Sequence, residues 1–187
     1  MPRILLHSCC GPCTLYPLQK LREGNWVVHP FFYNPFIQPY QELSRRIEAF
    51  EQVVEKTSAR AILRKDYDLE GFFREVVFRE SRRCHYCYSV RLNAAARTAK
   101  KSRMDAFTTT LLYSKHQNHE LICSIAQEAS IRNGIPFHYE DFRLGRAEGQ
   151  SRARSLGIYR QQYCGCIYSE KERFTPRDDP GPEEGKE

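Results

Sequence analysis

Long hydrophobic runs are absent from this 187-residue sequence. A signal peptide needs an apolar stretch of about 7–15 residues, and a membrane-spanning helix needs about 20. The apolar run at the start of the chain is only Ile4-Leu5-Leu6, and His7 follows it at once. We therefore expect neither export nor membrane insertion, and we predict a cytoplasmic protein.

Glycine motifs for nucleotide binding are absent as well. The sequence contains no Gly-x-Gly-x-x-Gly motif and no phosphate-binding loop ending in Gly-Lys-Ser or Gly-Lys-Thr. Cysteines fill the loop after the first predicted strand, where many α/β enzymes hold phosphate. These absences argue against ATP chemistry and against a tightly held nicotinamide cofactor.

Acidic residues are too few to balance the basic ones. The chain has 29 Lys and Arg against 23 Asp and Glu, a formal net charge of +6. Segment 81–104 contains no acidic residue, whereas five acidic residues are concentrated in the final segment 175–187. A basic body favours an anionic partner such as nucleic acid, although a merely basic protein fits the charge equally well.

Apolar residues are sufficient for one core, at 41% of a chain whose length corresponds to about one domain. Short strands alternate with helically spaced apolar residues, which is typical of an α/β fold with a parallel sheet. Strands are predicted at 3–7, 26–33, 61–63, 106–112 and 135–139. Helices are predicted at 14–21, 40–56, 69–78, 90–101, 119–133 and 151–156, with a loop over 159–168. We predict a single domain over 1–174 and a disordered acidic tail over 175–187.

The eight cysteines carry the chemical signal. They are too sparse for a disulfide scaffold, and a reducing compartment favours metal-binding or redox roles. The cysteines form three groups and one isolated residue: Cys9, Cys10 and Cys13; Cys84 and Cys87; Cys164 and Cys166; and Cys123. Cys123 lies on the apolar side of a predicted helix, where we expect an inert thiol.

The first cysteine group occupies a strand-to-helix junction. Free backbone N–H groups and the positive end of the helix lower the pKa of thiols at such a junction. Cys10-Gly11-Pro12-Cys13 is also the thioredoxin-type tetrapeptide, so a dithiol oxidoreductase that uses Cys10 and Cys13 is one hypothesis. Thioredoxins also need a cis-proline facing the cysteines, and no Thr-Pro or Ile-Pro pair occurs in this sequence before Ile135-Pro136.

The other two groups extend the possible chemistry. Cys84 and Cys87 are spaced so that both thiolates can ligate one metal ion or one edge of a metal cluster. Together with the first group they supply enough thiolates for zinc or for an iron–sulfur cluster, and ligand softness does not choose between them. A zinc-stabilised RNA-binding module is therefore a further hypothesis. Cys164 and Cys166 can form an easily reduced disulfide or ligate metal.

Basic residues adjoin these cysteine groups. Their side chains can contact phosphates, while exposed aromatic rings can stack on splayed bases. The predicted contacts to RNA are Arg82, Arg83, Arg91, Arg97, Lys100, Lys101 and Arg160. A solvated helix face is the alternative interpretation. Asp141 is a candidate for metal ligation or proton transfer, and an ordinary surface carboxylate fits it equally well.

Taken together, these motifs resemble the QueH-type epoxyqueuosine reductases, a cobalamin-independent family. The resemblance runs in order from about Ile4 to Phe174, and its most specific block is Tyr159-Arg160-Gln161-Gln162-Tyr163-Cys164-Gly165-Cys166. The other matching motifs are His7-Ser8-Cys9-Cys10-Gly11-Pro12-Cys13, Arg83-Cys84-His85-Tyr86-Cys87, Thr108-Thr109-Thr110-Leu111, Asn118-His119-Glu120 and Asp141-Phe142-Arg143. The loop Asn34–Pro39 departs from the family pattern at Phe36 and Gln38, which concerns the expected substrate contacts.

The resemblance implies a Rossmann-like α/β core related to adenine-nucleotide hydrolase-like enzymes. It implies that epoxyqueuosine at the tRNA wobble position is reduced to queuosine, with an electron donor as a further partner. It also implies a 4Fe–4S cluster with a second iron nearby.

Residue by residue, the resemblance assigns the cluster ligands as Cys9, Cys10, Cys84 and Cys87. Cys13 stands where some members have Asp, and it is the expected ligand of the second iron. Cys164 and Cys166 match the family's terminal pair, expected as ligands or as a redox relay. The expected catalytic residues are Cys10, Cys13 and Asp141.

Overall fold

Four short strands form one sheet in the order β3-β2-β1-β4 in the computed structural model, which describes residues 1–176. The strands are β1 (Arg3–Ser8), β2 (Val27–Tyr33), β3 (Ile62–Arg64) and β4 (Ala106–Thr109). Every pairing between these strands is parallel. The apolar strand β1 is central and buried, with Ile4 opposite Val28 on one side and Ala106 on the other.

Helices cover both faces of this sheet. They are α1 (Gly11–Glu23), α2 (Tyr40–Lys56), α3 (Leu69–Val76), α4 (Arg83–Lys101), α5 (His119–Asn133), α6 (Arg146–Ser155) and α7 (Ile167–Phe174). Helix α1 packs against α2 and α6, whereas α4 packs against α5. Small buried residues of α4, including Ala95 and Ala99, allow the close packing of α4 on the sheet and on α5. Short 3-10 helices occupy Glu80–Arg82, Thr110–Tyr113 and Phe142–Gly145.

The order in which strands are added to the sheet reverses at β1. The chain steps from β1 to β2 and β3 on one side and later adds β4 on the other side. Ligands of such sheets bind outside the carboxyl ends of the strands at this reversal. Cys9 directly follows β1 there, and Thr110 directly follows β4. The fold therefore places the first cysteine group at the usual ligand position of an open α/β sheet.

The predicted α/β class with a parallel sheet is confirmed, and three predicted elements differ in their bounds. The predicted strand 106–112 ends at Thr109, because the Thr109 hydroxyl accepts the N–H of Leu111 over 3.1 Å and starts a 3-10 turn. The predicted strand 135–139 reduces to one isolated bridge, between Phe107 and Phe137. Helix α6 begins at Arg146, ahead of the predicted 151–156.

Two further differences bear on the site. Helix α4 begins at Arg83, so Cys84 and Cys87 lie in its first turns rather than ahead of it. Part of the segment predicted as a loop belongs to α7, which begins at Ile167. Nearly all of the predicted acidic tail lies outside the described residues. No helix within residues 1–176 combines the length and the apolar composition that crossing a membrane requires.

Candidate metal centre

The first three cysteines converge at the start of α1. The sulfur atoms of Cys9, Cys10 and Cys13 all lie within 4.8 Å of one another. Cys10 caps α1, with extended backbone angles and a sulfur 3.4 Å from the N–H of Cys13. Gly11 allows α2 to approach the start of α1 closely, because a Cβ at Gly11 would lie 2.4 Å from the carbonyl oxygen of Ala49 in α2. The predicted strand-to-helix junction is thus a cluster of three buried or half-buried thiols.

Cys9 is the member of this cluster most suited to carry charge. Its N–H donates to the Thr110 hydroxyl over 2.9 Å, and that hydroxyl lies 3.2 Å from the Cys9 sulfur as a donor. Hydrogen bonds from the thiols of Cys10 and Cys13 lower the pKa of Cys9 well below its ordinary value. Burial raises the pKa of Cys10. These hydrogen bonds make Cys9 the thiol of the cluster whose anion is best stabilised.

Gln161 closes the cluster from the other end of the chain. Its side-chain N–H group lies 2.8 Å from the Cys10 sulfur and 3.4 Å from the Cys13 sulfur. This donor favours negative charge on either sulfur, because hydrogen bonds to the charged form stabilise it.

The remaining site cysteines surround a narrow cavity next to the first group. Cys84 and Cys87 come from α4, and Cys164 and Cys166 come from the loop before α7. The cavity has a volume of about 30 Å³, too small for a nucleoside. All eight cysteines of the chain are free thiols in the structure.

Arg91 connects the two cysteine groups. Its guanidinium donates to the Cys87 sulfur over 3.6 Å and to the Asn34 side-chain oxygen over 2.6 Å. Asn34 in turn donates to the carbonyl of Ser8 over 2.9 Å, directly before Cys9. A continuous chain of hydrogen bonds therefore runs from the end of β1 to the first turns of α4.

A second buried arginine holds the loop that carries Cys164 and Cys166. Arg46 of α2 forms an ion pair with Glu42 over 2.7 Å and donates to the carbonyls of Tyr163 and Cys164 over 3.0 and 2.7 Å. Gly165 has φ of +150°, and a Cβ there would lie 3.1 Å from Ile37. The loop is therefore fixed by buried charge and by the absence of a side chain at Gly165.

The loop Asn34–Pro39 supports these cysteines. Phe36 packs against Phe72 and Tyr86, and the N–H of Gln38 donates to the carbonyl of Gly165 over 2.8 Å. Gln38 also accepts the N–H of Ile167 over 3.2 Å. Both positions at which the loop departs from the family pattern are buried, so they serve packing and loop anchoring.

Two of the predicted site residues have other surroundings than expected. Arg91 is 5% exposed and bonded to Cys87 and Asn34, so it belongs to the candidate centre and cannot present its charge to phosphate at the surface. Asp141 caps the short helix Phe142–Gly145 and pairs with Arg143 over 2.6 Å. This pairing holds the pKa of Asp141 at about 2, so the carboxylate is no source of protons at neutral pH. Within residues 1–176 it is not a member of the thiol cluster.

The predicted RNA contacts separate into two sets. Arg82 and Arg160 are exposed next to the cysteines, and Arg83 lies between them and pairs with Glu172 of α7. Arg97, Lys100 and Lys101 are exposed toward the far end of α4, about 15–21 Å beyond Cys87 at 1.5 Å per residue. Lys100 also donates to the carbonyl of Gly134 over 2.8 Å.

Several residues that complete the site are not predicted by the sequence patterns. They are Asn34, Arg46, Thr110 and Gln161, and a hydrogen-bonding partner has no spacing rule of its own. Their nearness to the cysteine motifs, as with Gln161 beside Cys164, was the available signal.

The donor set fits an iron–sulfur centre. Thiolates are the ligands that such clusters use. The cavity is lined by two arginines together with four of the cysteines: Cys84, Cys87, Cys164 and Cys166. The Nε–H groups of Arg83 and Arg91 are buried without a hydrogen-bond partner in the described chain. Unpaired buried donors beside thiols are suited to a sulfur-rich anion. Fold and site thus define a Rossmann-like α/β protein with a cluster of thiols where related sheets hold phosphate.

Comparison with known proteins identifies the family. The model of the family described as "Epoxyqueuosine reductase QueH" matches residues 4–172, and the chain belongs to this family. It is 34% identical over 180 residues to the epoxyqueuosine reductase QueH of Dehalococcoides mccartyi, covering 96% of this chain and 98% of that protein. Identity to the QueH protein of Thermotoga maritima is 35% over 183 residues, covering 92% and 93%. The resemblance noted from the motifs is confirmed.

A solved structure supports the fold alone. The predicted subunit of a tRNA methyltransferase from Methanocaldococcus jannaschii superposes with a TM-score of 0.57 at 10% identity. The superposition covers 82% of this chain and 75% of that chain.

Proposed function

We propose that this protein reduces epoxyqueuosine in tRNA to queuosine in the cytoplasm. The observation that carries the proposal is the cluster of Cys9, Cys10 and Cys13 at the end of β1, in a chain that belongs to the QueH family. The buried Arg91 supports it, because Arg91 bonds to Cys87 and is linked through Asn34 to Ser8, next to Cys9. The reaction takes up two electrons and two protons, breaks the two C–O bonds of the epoxide and releases its oxygen as water. The electrons come from an external one-electron reductant.

A 4Fe–4S cluster and a second iron are part of this proposal. Cys9, Cys10, Cys84 and Cys87 would hold the cluster, and Cys13 would hold the second iron. When bound, the cluster supplies electrons one at a time to the substrate. The lowered pKa of Cys9 supports the ligand role, because metal binding requires deprotonated thiols.

Cys164 and Cys166 form the proposed relay. Oxidation of the two thiols to a disulfide releases two electrons and two protons, which equals the requirement of epoxide reduction. The position of both side chains on the cavity of Cys84 and Cys87 supports this role. The external reductant then restores the dithiol.

Basic residues around the cysteines are the proposed tRNA contacts. Arg82 and Arg160 are exposed near the site. The loop 114–117 adds Lys115 and His116, and its Gln117 side chain lies 3.6 Å from the Cys164 sulfur. Phosphate contacts of this kind position RNA, and an unstacked anticodon base can then enter the site.

Anaerobic purification with iron, zinc and sulfide analysis tests the proposal. The expected result is several irons with a matching amount of sulfide and a broad absorption band at about 400 nm, as iron–sulfur clusters give. The protein should also turn over tRNA that contains epoxyqueuosine. Cys84→Ser and Cys87→Ser should lose the absorption and the activity, whereas Cys123→Ser, on α5 away from the site, should keep both. Zinc without sulfide after cluster reconstitution would overturn the iron–sulfur mechanism and favour a zinc-stabilised RNA-binding module. Activity without metal that depends on Cys10 and Cys13 would favour a dithiol oxidoreductase.

A further inference from the structure

Two arginines are almost completely buried in this fold, and only one has a carboxylate partner. Arg46 is compensated by Glu42 at 2.7 Å. Arg91, at 5% exposure, forms no ion pair with any carboxylate of the described residues. A guanidinium stays charged at all ordinary pH values, and burying it without a counter-charge is strongly unfavourable. The compensating negative charge must therefore come from another group.

The surroundings of Arg91 show where that charge lies. Of its donors, one meets the Cys87 sulfur and one meets the neutral amide of Asn34. Its Nε–H is buried without a partner in the described chain. Arg91 lines the cavity together with Cys84, Cys87 and Cys164. Among the described residues that line the cavity, only the cysteines and Tyr88 can lose a proton. A thiol does so at lower pH than a phenol, so the sulfur atoms are the groups suited to carry the negative charge.

We propose that Arg91 is a positioning residue that compensates the negative charge of the thiolate-held centre and raises its reduction potential. This inference rests on the proposed iron–sulfur function. The fixed positive charge is felt more strongly by the reduced centre, which carries one more negative charge, than by the oxidised centre. The donors of the guanidinium also fix the Cys87 sulfur, and the bond to Asn34 fixes the guanidinium itself.

Redox titration of the anaerobically purified holoprotein tests this role. Arg91→Gln removes the charge, and the midpoint potential should become more negative. We expect the ratio of reduced to oxidised centre at the wild-type midpoint to fall about tenfold, equivalent to about 59 mV for one electron. Arg91→Lys keeps the charge and should retain most of the potential. Arg97→Gln, an exposed change on the same helix, should leave the potential unchanged.

The outcomes distinguish this inference from the proposed function. An intact cluster with unchanged potential in Arg91→Gln would overturn the inference and leave the function standing. A wild-type protein without iron and sulfide would overturn the proposed function itself. If Arg91→Gln loses its iron, the Lys variant decides: restored iron supports charge compensation, and equal loss in both variants overturns it.

Discussion

The side-chain amide of Gln161 lies 2.8 Å from the Cys10 sulfur, although almost the whole chain separates the two residues. The contact joins the segment before α7 to the capping residue of α1. It is made where the thiols must become anionic to bind metal, so it contributes to the site rather than to the core.

Gln161→Ala should lower turnover while leaving the fold intact. The change removes a hydrogen bond to two sulfurs, and bonds to charged groups contribute about 1.5–3 kcal/mol. We expect kcat/KM to fall about 10- to 100-fold, with the pKa of the Cys13 thiol rising because the Gln161 donor is lost. Gln162→Ala, an exposed neighbour, is the matched control. Equal activity in the two variants would contradict a role for Gln161.

Arg46→Ala should be strongly destabilising. It leaves the buried Glu42 without a counter-charge, with the Tyr159 hydroxyl as its remaining hydrogen-bond donor, and frees two carbonyls of the loop that carries Cys164. Breaking a buried pair costs about 3–5 kcal/mol of the free energy of unfolding. Urea denaturation measures this cost, and Glu48→Ala, exposed on the same helix, should change it by less than about 0.5 kcal/mol. A loss below about 1 kcal/mol for Arg46→Ala would show that the pair is replaceable by water.

Asp141→Asn should keep turnover within about twofold. A tenfold loss would correspond to about 1.4 kcal/mol of activation free energy, and we expect far less. The Asp141 carboxylate is paired with Arg143 and remote from the thiol cluster, and Asn preserves the acceptor that caps the next helix. A large loss of turnover would restore Asp141 as a catalytic residue.

The same variant should alter the acid sensitivity of the fold. The Arg143 guanidinium holds the pKa of Asp141 at about 2, below its ordinary value of 3.8. The pairing thus contributes stability above pH 3.8 that is lost as the pH falls toward 2. The urea midpoints of wild type and Asp141→Asn should converge over that range. The difference at neutral pH should be small, because the pair is exposed.

Basic residues near the cysteines should matter more for tRNA binding than those along α4. We expect the double variant Arg160→Ala and Lys115→Ala to raise the Kd for tRNA about tenfold. The slope of log Kd against log salt concentration should decrease by about one to two, because two phosphate contacts are lost. Arg97→Ala with Lys101→Ala should have a smaller effect, because these residues lie about 15–21 Å further along the helix. Filter binding at several salt concentrations separates the two outcomes. The reverse order would place the tRNA along α4.

The sequence was informative where chemistry and local pattern coincide. The apolar strand that ends at Ser8 and the three cysteines after it predicted the junction that the structure contains. Alternating strands and helices predicted a parallel sheet, because parallel connections need a crossover element. The spacing of Cys84 and Cys87 matched one face of the first turns of α4.

Long-range pairing limited what could be predicted. The segment 81–104 has no acidic residue, so Arg91 was expected on a basic surface. Its neutral partner Asn34 and its sulfur partner Cys87 are invisible to charge counting, and only the packing of α4 on the sheet buries it. Asp141 was likewise ambiguous, since a capping carboxylate and a reactive one have the same sequence signature.

The cysteines of the site come from both ends of the chain, and protein synthesis delivers them at different times. Cys9 leaves the ribosome about 150 residues before Cys164, on the order of ten seconds earlier at usual elongation rates. During that interval the nascent chain exposes its first thiols without α4, Gln161 or the loop held by Arg46. Loading of the proposed metal into the completed site would therefore follow translation of the last cysteines, and a chain that stops before residue 160 would lack Gln161, Cys164 and Cys166.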